Sequence, residues 1–401
     1  MPRQAYTYAI IGAGLAGASA VEGIREHDKN GPILLIGAEK HLPYNRPPLT
    51  KKLWFGTQKV EEIFVHDQKF YDDNGVTLAL GTKAAAINAG NKTVTDSAGQ
   101  EYSFEKLLIA TGGFPQRLAI PGSDHEGICY FRDLDDYLRL RPEALDSASA
   151  IVIGGGFIGS EIAAALAVNK VNVTMVFPSA CLCARVFPAE LGQAMQQRFE
   201  ERGVTVFSGD RPESFTRAGG KFIMQTEKGR RIASDMLIVG IGIAPDIALA
   251  QAAGLHVADG IVVNELLETS APGIFAAGDN ALFPYRALGK QMRIEHWDNA
   301  LNQGRWAGRN MAGAREPFTY MPYFFSDLFE FGYEAVGDAN AALETLADWQ
   351  KENDTGFIYY LEEGKVRGVM MCNLWDRVPS AREIILRGEK MTAEALHGAL
   401  R

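Results

Sequence analysis

Cysteine is scarce in this chain of 401 residues, which has four cysteines in all. No two of them form a Cys-x-x-Cys pair, so the sequence predicts neither a disulfide framework nor a dithiol redox motif. The first strand is expected to begin by Tyr8, which leaves no room for a signal peptide. These features together favour a reducing, cytoplasmic location.

Long apolar runs and long basic runs are missing as well. The lack of an extended apolar run argues against a membrane-spanning helix. The net charge of −9 argues against general nucleic-acid binding, and no basic stretch favours a membrane surface. The seven histidines are scattered without metal-ligand spacing, so we expect no zinc site. The composition, with 47% hydrophobic and 22% charged residues, is typical of a globular protein with two or three domains.

What the sequence does contain is a glycine motif directly after an apolar strand. Tyr8 to Ile11 form the strand, the Gly-x-Gly-x-x-Gly motif follows, and a helix is predicted from Ala18 to Glu26. The first glycine permits a tight turn, the second lets backbone N–H groups approach a pyrophosphate, and the third lets helix and strand pack closely. The residues predicted to form this dinucleotide cradle are Gly12, Gly14, Leu15, Ala16 and Gly17.

An acidic residue stands where such a cradle needs one. A second strand, Ile33 to Gly37, follows the helix, and Glu39 lies 22 residues after Gly17. A carboxylate at that spacing is suited to the ribose hydroxyls of a dinucleotide. The alternative is a glycine-rich turn without a ligand.

The same design occurs a second time. Strand Ile151 to Ile153 leads into a second Gly-x-Gly-x-x-Gly, an Ala-rich helix from Ser160 to Val168, the strand Val171 to Val176, and a closing strand from Met236 to Gly242. Its predicted cradle consists of Gly154, Gly156, Phe157, Ile158 and Gly159. Two such units predict an α/β fold with two Rossmann-like dinucleotide-binding domains.

Three further stretches complete the predicted organisation. Two strands are expected to end in small residues, Leu107 to Gly113 in Ala-Thr-Gly-Gly and Gly273 to Asp279 in Gly-Asp. The prolines of His41 to Trp54 predict an extended loop before any helix starts. Helical periodicity runs from about His296 to Met311, and residues 318–401 contain strand-like pieces and two helical segments, as in an α+β domain.

Together these motifs resemble the two-dinucleotide flavoprotein oxidoreductases, which share the fold of glutathione and ferredoxin reductases. The resemblance implies that the first unit binds FAD and the second NADH or NADPH. It implies a discontinuous FAD domain of residues 1–118 and 246–317, a nicotinamide domain of residues 119–245 and a C-terminal domain of residues 318–401. The segment Arg46 to Lys51, Arg-Pro-Pro-Leu-Thr-Lys, is similar to a motif of the ferredoxin (putidaredoxin and rubredoxin) reductases and of apoptosis-inducing factor.

Residues 324–337 and 373–385 are most similar to apoptosis-inducing factor. The chain departs from that family in having no expected mitochondrial presequence and no long insertion in the C-terminal domain, and in placing Phe325 where the mammalian protein has tryptophan. Any function tied to that insertion is therefore not implied here.

The resemblance also assigns roles to single residues. Lys51 is the expected cation beside the flavin, Glu161 its matched carboxylate and nicotinamide contact, and Trp297 a ring that covers the flavin or nicotinamide face. The alternatives are a solvated lysine, an exposed first-turn acid and a core tryptophan. The remaining residues implied to bind FAD are Arg46, Ala110, Thr111, Gly112, Arg132, Gly278, Asp279 and His296. The remaining residues implied to bind NAD(P)H are Ser179, Arg185, Gly242 and Glu295.

The choice between NADH and NADPH is open in the sequence. A ribose 2′-hydroxyl is bound by an acid after Val176, but the chain there reads Phe177 to Ala180, without an acid. Arg185 suits a 2′-phosphate or the pyrophosphate. The family favours NADH, with NADPH as the alternative.

The electron acceptor is also open. No cysteine pair follows the first unit, which argues against a thiol–disulfide mechanism. Cys181 and Cys183 are either two ordinary small residues or a regulatory thiol pair. One interpretation is an oxidoreductase that passes electrons to a ferredoxin or rubredoxin, with a quinone or oxygen as other acceptors. The alternative resembles apoptosis-inducing factor: a slow NADH-sensing flavoprotein whose stable charge-transfer complex controls homodimer formation or partner binding. A basic patch for an acidic partner, or a plain solvated helix face, is predicted from Arg286, Lys290, Arg293, Arg305, Arg309 and Arg315.

Overall fold

The chain divides into two compact units, each made of stretches that are not contiguous in sequence. The computed structural model describes residues 4–146 and 148–400. The first unit comprises Met1–Asn45, Val60–Phe114 and Pro245–Tyr323, and the second comprises Arg46–Lys59, Pro115–Ala244 and Phe324–Arg401. The division into three domains by function remains a prediction.

Helices and strands are numbered here in chain order. The α-helices α1 to α9 are Leu15–His27, Gln68–Asp73, Leu134–Leu140, Phe157–Val168, Ala189–Glu201, Ala248–Ala252, Trp297–Met311, Val378–Arg387 and Ala393–Leu396. Within the described residues, three short 3-10 helices span Pro47–Thr50, Val60–Glu62 and Arg286–Leu288. The strands β1 to β12 are Gln4–Ile11, Ile33–Gly37, Val76–Leu80, Ala84–Asn88, Thr93–Asp96, Glu101–Ile109, Gly113–Pro115, Cys129–Tyr130, Ser149–Ile153, Asn172–Phe177, Thr205–Ser208 and Pro212–Ala218. The strands β13 to β25 are Lys221–Thr226, Arg231–Ser234, Met236–Val239, Ile243–Pro245, Ile261–Val262, Ile274–Ala276, Ala281–Tyr285, Lys290–Met292, Tyr323–Leu328, Phe331–Gly337, Glu344–Lys351, Thr355–Glu362 and Lys365–Cys372.

The first unit is built on a seven-stranded sheet in the order β3-β2-β1-β6-β5-β4, with β18 also paired to β6. Strand β1 is parallel to β2 on one side and to β6 on the other, with Ile10 opposite both Leu35 and Leu108. Strands β2 and β6 therefore lie on opposite sides of β1, and the strand order reverses at β1. In such sheets ligands bind at the carboxyl end of the strand where the order reverses. Strand β1 ends at Ile11, directly before Gly12.

Helix α1 packs against α7 at a distance that only glycine permits. A Cβ on Gly304 would lie 2.2 Å from the carbonyl oxygen of Ala16, and one on Gly308 would lie 2.2 Å from that of Ala20. Gly23 of α1 makes the reciprocal approach, with its Cβ position 2.0 Å from the Arg305 carbonyl oxygen. This packing holds the N-terminus of α1 at the end of β1.

The second unit repeats the design in a five-stranded sheet of order β11-β10-β9-β15-β8. Its central strand β9 is parallel to β10 and to β15, so its carboxyl end, at Gly154, is again the point where the order reverses. Val152, Ile153, Val176 and Leu237 are almost completely buried in this sheet. A separate antiparallel sheet of order β12-β13-β14 belongs to the same unit.

The last part of the second unit is an antiparallel sheet with helices at its end. Its strand order is β21-β22-β25-β24-β23, and α8 and α9 follow β25 in the chain. The predicted fold class, two Rossmann-like units plus a C-terminal α+β region, is confirmed. Within the described residues, no helix combines the length and the apolar character needed to cross a bilayer.

Two local predictions need correction. The proline segment was expected to stay extended, but Pro47–Thr50 form a 3-10 helix with proline at its first position, where the missing N–H costs nothing. The strand expected from Leu107 to Gly113 spans Glu101–Ile109 instead, because β6 pairs with β1 from Tyr102 to Ile109, with β5 at its start and with β18 at its end.

Candidate functional site

The first glycine motif forms a tight turn whose geometry excludes larger side chains at two of its three glycines. Gly12 has a φ of +117°, and a Cβ there would lie 2.1 Å from the carbonyl oxygen of Ala110. A Cβ on Gly17 would lie 2.1 Å from the carbonyl oxygen of Gly12. Ala110 closes the turn from the other side by donating its N–H to Ile11 at 2.7 Å.

The middle glycine has the opposite environment. No atom lies within 4 Å of a Cβ built on Gly14, which is the N-cap of α1 and gives no side-chain cap to the helix. Leu15 and Ala16 are the first two residues of that helix. The uncapped N–H groups can bind the negative charge of a pyrophosphate, and the open space beside Gly14 can accommodate its volume.

Glu39 lies after β2, at the same edge of the sheet as the glycine turn. Its carboxylate is half-buried and accepts a hydrogen bond of 2.5 Å from the Tyr44 hydroxyl. The aromatic hydroxyl restricts the rotation of Glu39. A carboxylate held in this position suits the ribose hydroxyls of a dinucleotide.

Polar groups also gather at the ends of β6 and β18. The Thr111 hydroxyl donates to the Asp246 carbonyl at 2.7 Å and accepts from the Asn280 amide at 2.9 Å. Gly112 has a φ of +65°, which turns the chain away from the sheet. Gly278, with a φ of +87°, donates its N–H to Gln303 at 2.9 Å. Asp279 follows it, and its side chain is half-buried.

The start of α7 carries the three residues expected near the rings. Trp297 is half-buried, and its indole N–H donates to the Asn45 side chain at 2.7 Å, which fixes the plane of the ring. Burial lowers the pKa of His296, the N-cap of α7, to about 4, so its imidazole is neutral at ordinary pH. Glu295 is engaged in an ion pair of 2.5 Å with Arg293. Its predicted nicotinamide contact stays a prediction.

The second glycine motif repeats the geometry of the first. Gly154 has a φ of +120°, and a Cβ there would lie 2.2 Å from the Gly240 carbonyl oxygen. A Cβ on Gly159 would lie 2.1 Å from the Gly154 carbonyl oxygen. Gly156, the N-cap of α4, again has no atom within 4 Å of its Cβ position and no side-chain cap. The second cradle therefore has the same opening for a dinucleotide as the first.

Residues that border the second cradle differ in the contacts that their side chains make. Phe157 and Ile158 begin α4, and the Phe157 ring packs against Phe324 with centroids 5.5 Å apart. The Ser179 hydroxyl donates to the Cys181 carbonyl at 2.9 Å, so its proton is used within the loop. Arg185 is exposed, and its guanidinium makes no hydrogen bond or ion pair with the residues described.

Gly242 and the two arginines of the FAD prediction lie in the second unit. Gly242 has a φ of +103° and accepts a hydrogen bond from the Gln116 N–H at 2.9 Å. Arg46 donates to the Arg132 carbonyl at 2.8 Å, and the Arg132 N–H donates to Asp136 at 2.8 Å. The structure thus brings Arg46 and Arg132 together.

Lys51 and Glu161 form a buried ion pair in the second unit. Lys51 Nζ lies 3.1 Å from Glu161 Oε1, and the two side chains are only 7% and 8% exposed. Neither alternative from the sequence, a solvated lysine or an exposed first-turn acid, agrees with that burial. A buried pair of this kind is costly to break, since either partner alone would be an uncompensated charge.

Two hydroxyl groups complete the surroundings of Glu161, and the sequence did not reveal either of these contacts. Thr50 donates to Oε2 at 2.5 Å, and Ser326 of β21 donates to Oε1 at 2.5 Å. The Phe325 ring centroid lies 4.8 Å from Lys51 Nζ, a cation–π distance. In the sequence, Thr50 stands beside Lys51, and Ser326 lies in the stretch Phe-Phe-Ser-Asp. No local pattern connects either residue with Glu161.

The cations proposed as a basic patch are mostly paired with acids of the first unit. Arg286 pairs with Glu265, and Arg293 with Glu295 and Asp259. Arg305 and Arg309 both pair with Glu26, and Arg309 also with Glu316. These carboxylates offset the local positive charge, so the geometry favours a solvated face rather than a basic patch.

Two family models match the sequence. The family described as "Pyridine nucleotide-disulphide oxidoreductase" matches residues 6–304. The model described as "Apoptosis-inducing factor, mitochondrion-associated, C-term" matches residues 307–356. Between them they span both glycine cradles and the start of the C-terminal sheet.

Relatives that cover more than nine-tenths of the chain carry different names. The chain is 33% identical over 383 residues to the ferredoxin–NAD(+) reductase component of the anthranilate 1,2-dioxygenase system of Burkholderia cepacia, which covers 95% of this chain and 94% of that protein. It is 32% identical over 388 residues to monodehydroascorbate reductase 4, peroxisomal, of Arabidopsis thaliana, which covers 91% of this chain and 79% of that protein. The crystal structure of the covalent putidaredoxin reductase–putidaredoxin complex has a chain that is 30% identical, with a TM-score of 0.91, covering 98% of this chain and 95% of that one.

Proposed function

Because the chain belongs to the pyridine nucleotide-disulphide oxidoreductases, whose members use FAD and NAD(P)H, we propose that it takes a hydride from NADH and passes the electrons to a small ferredoxin- or rubredoxin-type protein. The observation that carries this proposal is the pair of open glycine cradles at Gly14 and Gly156 together with the buried Lys51–Glu161 ion pair. Bound FAD supplies the step between a two-electron donor and a one-electron acceptor.

The residues of the chain have separate tasks in this proposal. Gly14 and the uncapped start of α1 would hold the FAD pyrophosphate, Glu39 its ribose, and Asp279 the ribityl chain. In the second unit Gly156 and the start of α4 would hold the nicotinamide dinucleotide. Glu161 would contact and orient the nicotinamide, and Lys51 would supply positive charge beside the flavin.

Trp297 and His296 would border the rings. The indole N–H of Trp297 is committed to Asn45, so the ring is held in one plane and can cover an aromatic face. Burial keeps His296 neutral, with a pKa of about 4, and it therefore contributes no positive charge in the physiological range. This leaves Lys51 as the cation proposed to act on the flavin.

NADH is the proposed donor, on the strength of the bacterial relative whose name includes NAD(+). The loop after β10 carries Ser179 and no acid for a ribose 2′-hydroxyl, and the Arg185 side chain is exposed and makes no hydrogen bond or ion pair with the described residues. Arg185 is therefore the residue through which NADPH would be accepted. If the protein prefers NADPH, Arg185→Ala should lose that preference and Arg185→Lys should keep part of it.

The proposed location is the cytoplasm, where a reducing environment suits four free buried thiols.

The test is anaerobic reduction by NADH and NADPH in parallel, followed by an acceptor screen. The screen contains a ferredoxin, a rubredoxin, a quinone, oxygen and the monodehydroascorbate radical. Ferredoxin- or rubredoxin-coupled cytochrome c reduction should exceed the rate without the redox protein. An equal rate with and without it would refute the proposed acceptor, and lack of reduction by both nicotinamides would refute the oxidoreductase itself.

A second function is supported by the family model that matches residues 307–356. In this alternative the protein turns over slowly and uses bound NADH as a signal for dimerisation or partner binding. Size-exclusion chromatography with and without NADH distinguishes the two. A shift to a larger species together with slow turnover would support the alternative, and an unchanged elution volume would count against it.

A further inference from the structure

Glu161 is held by two pairs of adjacent residues, one from the first segment of the second unit and one from its last segment. Thr50 and Lys51 approach it from the segment before the cradle, and Ser326 approaches it from β21. Phe325, the neighbour of Ser326, places its ring over Lys51. The first pair thus contacts the carboxylate through both residues, and the second pair contacts the carboxylate through Ser326 and the lysine through Phe325.

The two hydroxyl groups bind different oxygens of the same carboxylate. Ser326 donates to Oε1 and Thr50 to Oε2, both at 2.5 Å, the length of charge-assisted O–H···O⁻ bonds. One contact would leave the carboxylate free to rotate about its last bond, whereas one donor on each oxygen fixes its plane. With Lys51 also on Oε1, three of about four acceptor positions of the carboxylate are used.

The remaining acceptor position belongs to Oε2. Thr50 is the single described donor to that oxygen, and Ser326 and Lys51 share the other. A bound nicotinamide amide can therefore meet a carboxylate whose orientation is already set. Such preorganisation acts on the rate more than on the affinity, since most of the binding contacts of a dinucleotide lie at its phosphates and ribose.

We propose that Ser326 and Thr50 are positioning residues that fix the Glu161 carboxylate against Lys51 and so set the rate at which nicotinamide reduces the enzyme. This inference rests on the proposed function. In this proposal the C-terminal sheet contributes to the redox step through one hydroxyl group, that of Ser326 on β21. Neither glycine motif in the sequence indicates this contribution.

The experiment uses anaerobic stopped-flow reduction of the FAD-loaded enzyme over a range of NADH concentrations. Ser326→Ala and Thr50→Val should each lower the limiting rate about tenfold, the cost of one hydrogen bond to a charged group, and change the NADH dissociation constant less than about threefold. Ser326→Thr and Thr50→Ser keep a hydroxyl and should recover most of the rate. Ser234→Ala is the matched control, because Ser234 is an equally buried serine whose hydroxyl donates to Met236 instead.

A second readout does not depend on turnover. In a double-mutant cycle on thermal unfolding, Ser326→Ala should lower the midpoint less in a Glu161→Ala background than in the wild type, while Ser234→Ala should lower it equally in both. Additive losses for Ser326, or a wild-type limiting rate in both hydroxyl-deletion variants, would overturn the inference alone. Failure of the wild type to be reduced by NADH and NADPH would overturn the proposed function, and the assigned effect on rate with it.

Discussion

Lys51 Nζ and Glu161 Oε1 lie 3.1 Å apart, in a place where both side chains are more than nine-tenths buried. Removal of one partner leaves the other charged, buried and uncompensated, a change that costs about 3–5 kcal/mol in comparable pairs. The pair therefore links stability and the proposed chemistry in the same two residues.

Lys51→Ala should slow flavin reduction by about tenfold or more and alter the flavin absorbance spectrum, because the cation proposed beside the ring is lost. The neighbouring Lys52 is exposed, so Lys52→Ala is the matched control and should leave both unchanged. Stopped-flow absorbance measures both effects. Wild-type rates in Lys51→Ala would show that Lys51 does not act on the flavin.

The first glycine motif allows a test of the FAD cradle. A methyl group added at Gly12 and one added at Gly14 should have different consequences. Gly12→Ala should prevent stable folding of the first unit, because its Cβ would lie 2.1 Å from a backbone oxygen at a φ of +117°. Gly14→Ala should fold, because its Cβ position is open, but should retain less FAD.

Circular dichroism and the ratio of flavin to protein absorbance after desalting measure these two effects separately. The pair Gly154→Ala and Gly156→Ala gives the same contrast in the second cradle, read out as NADH affinity. Full FAD retention in Gly14→Ala would show that the opening beside Gly14 does not hold the pyrophosphate.

The extent to which sequence predicted this structure depends on whether a feature is local. Both glycine turns are local, since their φ angles and close contacts are demanded by a few consecutive residues, and both were predicted with their flanking strands. The helix predicted from Ala18 begins at Leu15, because Gly14 is already its N-cap. The length of β6 was not predictable, and neither was the contact from Ser326 to Glu161, because both depend on partners distant in the sequence.

The cysteines give a prediction about reactivity. Burial raises the pKa of the Cys183 thiol to about 12 and also raises that of Cys181, so little thiolate exists near neutral pH. Both thiols should therefore resist a disulfide reagent in the native protein at pH 8, and all four should react after denaturation. The variant with both residues changed to serine should keep the wild-type rate of flavin reduction. Rapid labelling of either thiol would favour the regulatory pair over the structural interpretation.

Glu334 gives a prediction about pH. Burial raises the pKa of its carboxyl above the usual 4.5, and the negative charge of Asp376 adds to the shift. The native state therefore binds this proton more tightly than the unfolded state, so Glu334 lowers stability progressively as the pH rises from its ordinary pKa to its raised one. Glu334→Gln removes that charge and should raise the unfolding temperature by up to a few degrees near neutral pH, with no gain near pH 4. Asp376→Asn should give part of the same gain, and thermal melts across this pH range that show no difference from the wild type would contradict the assignment.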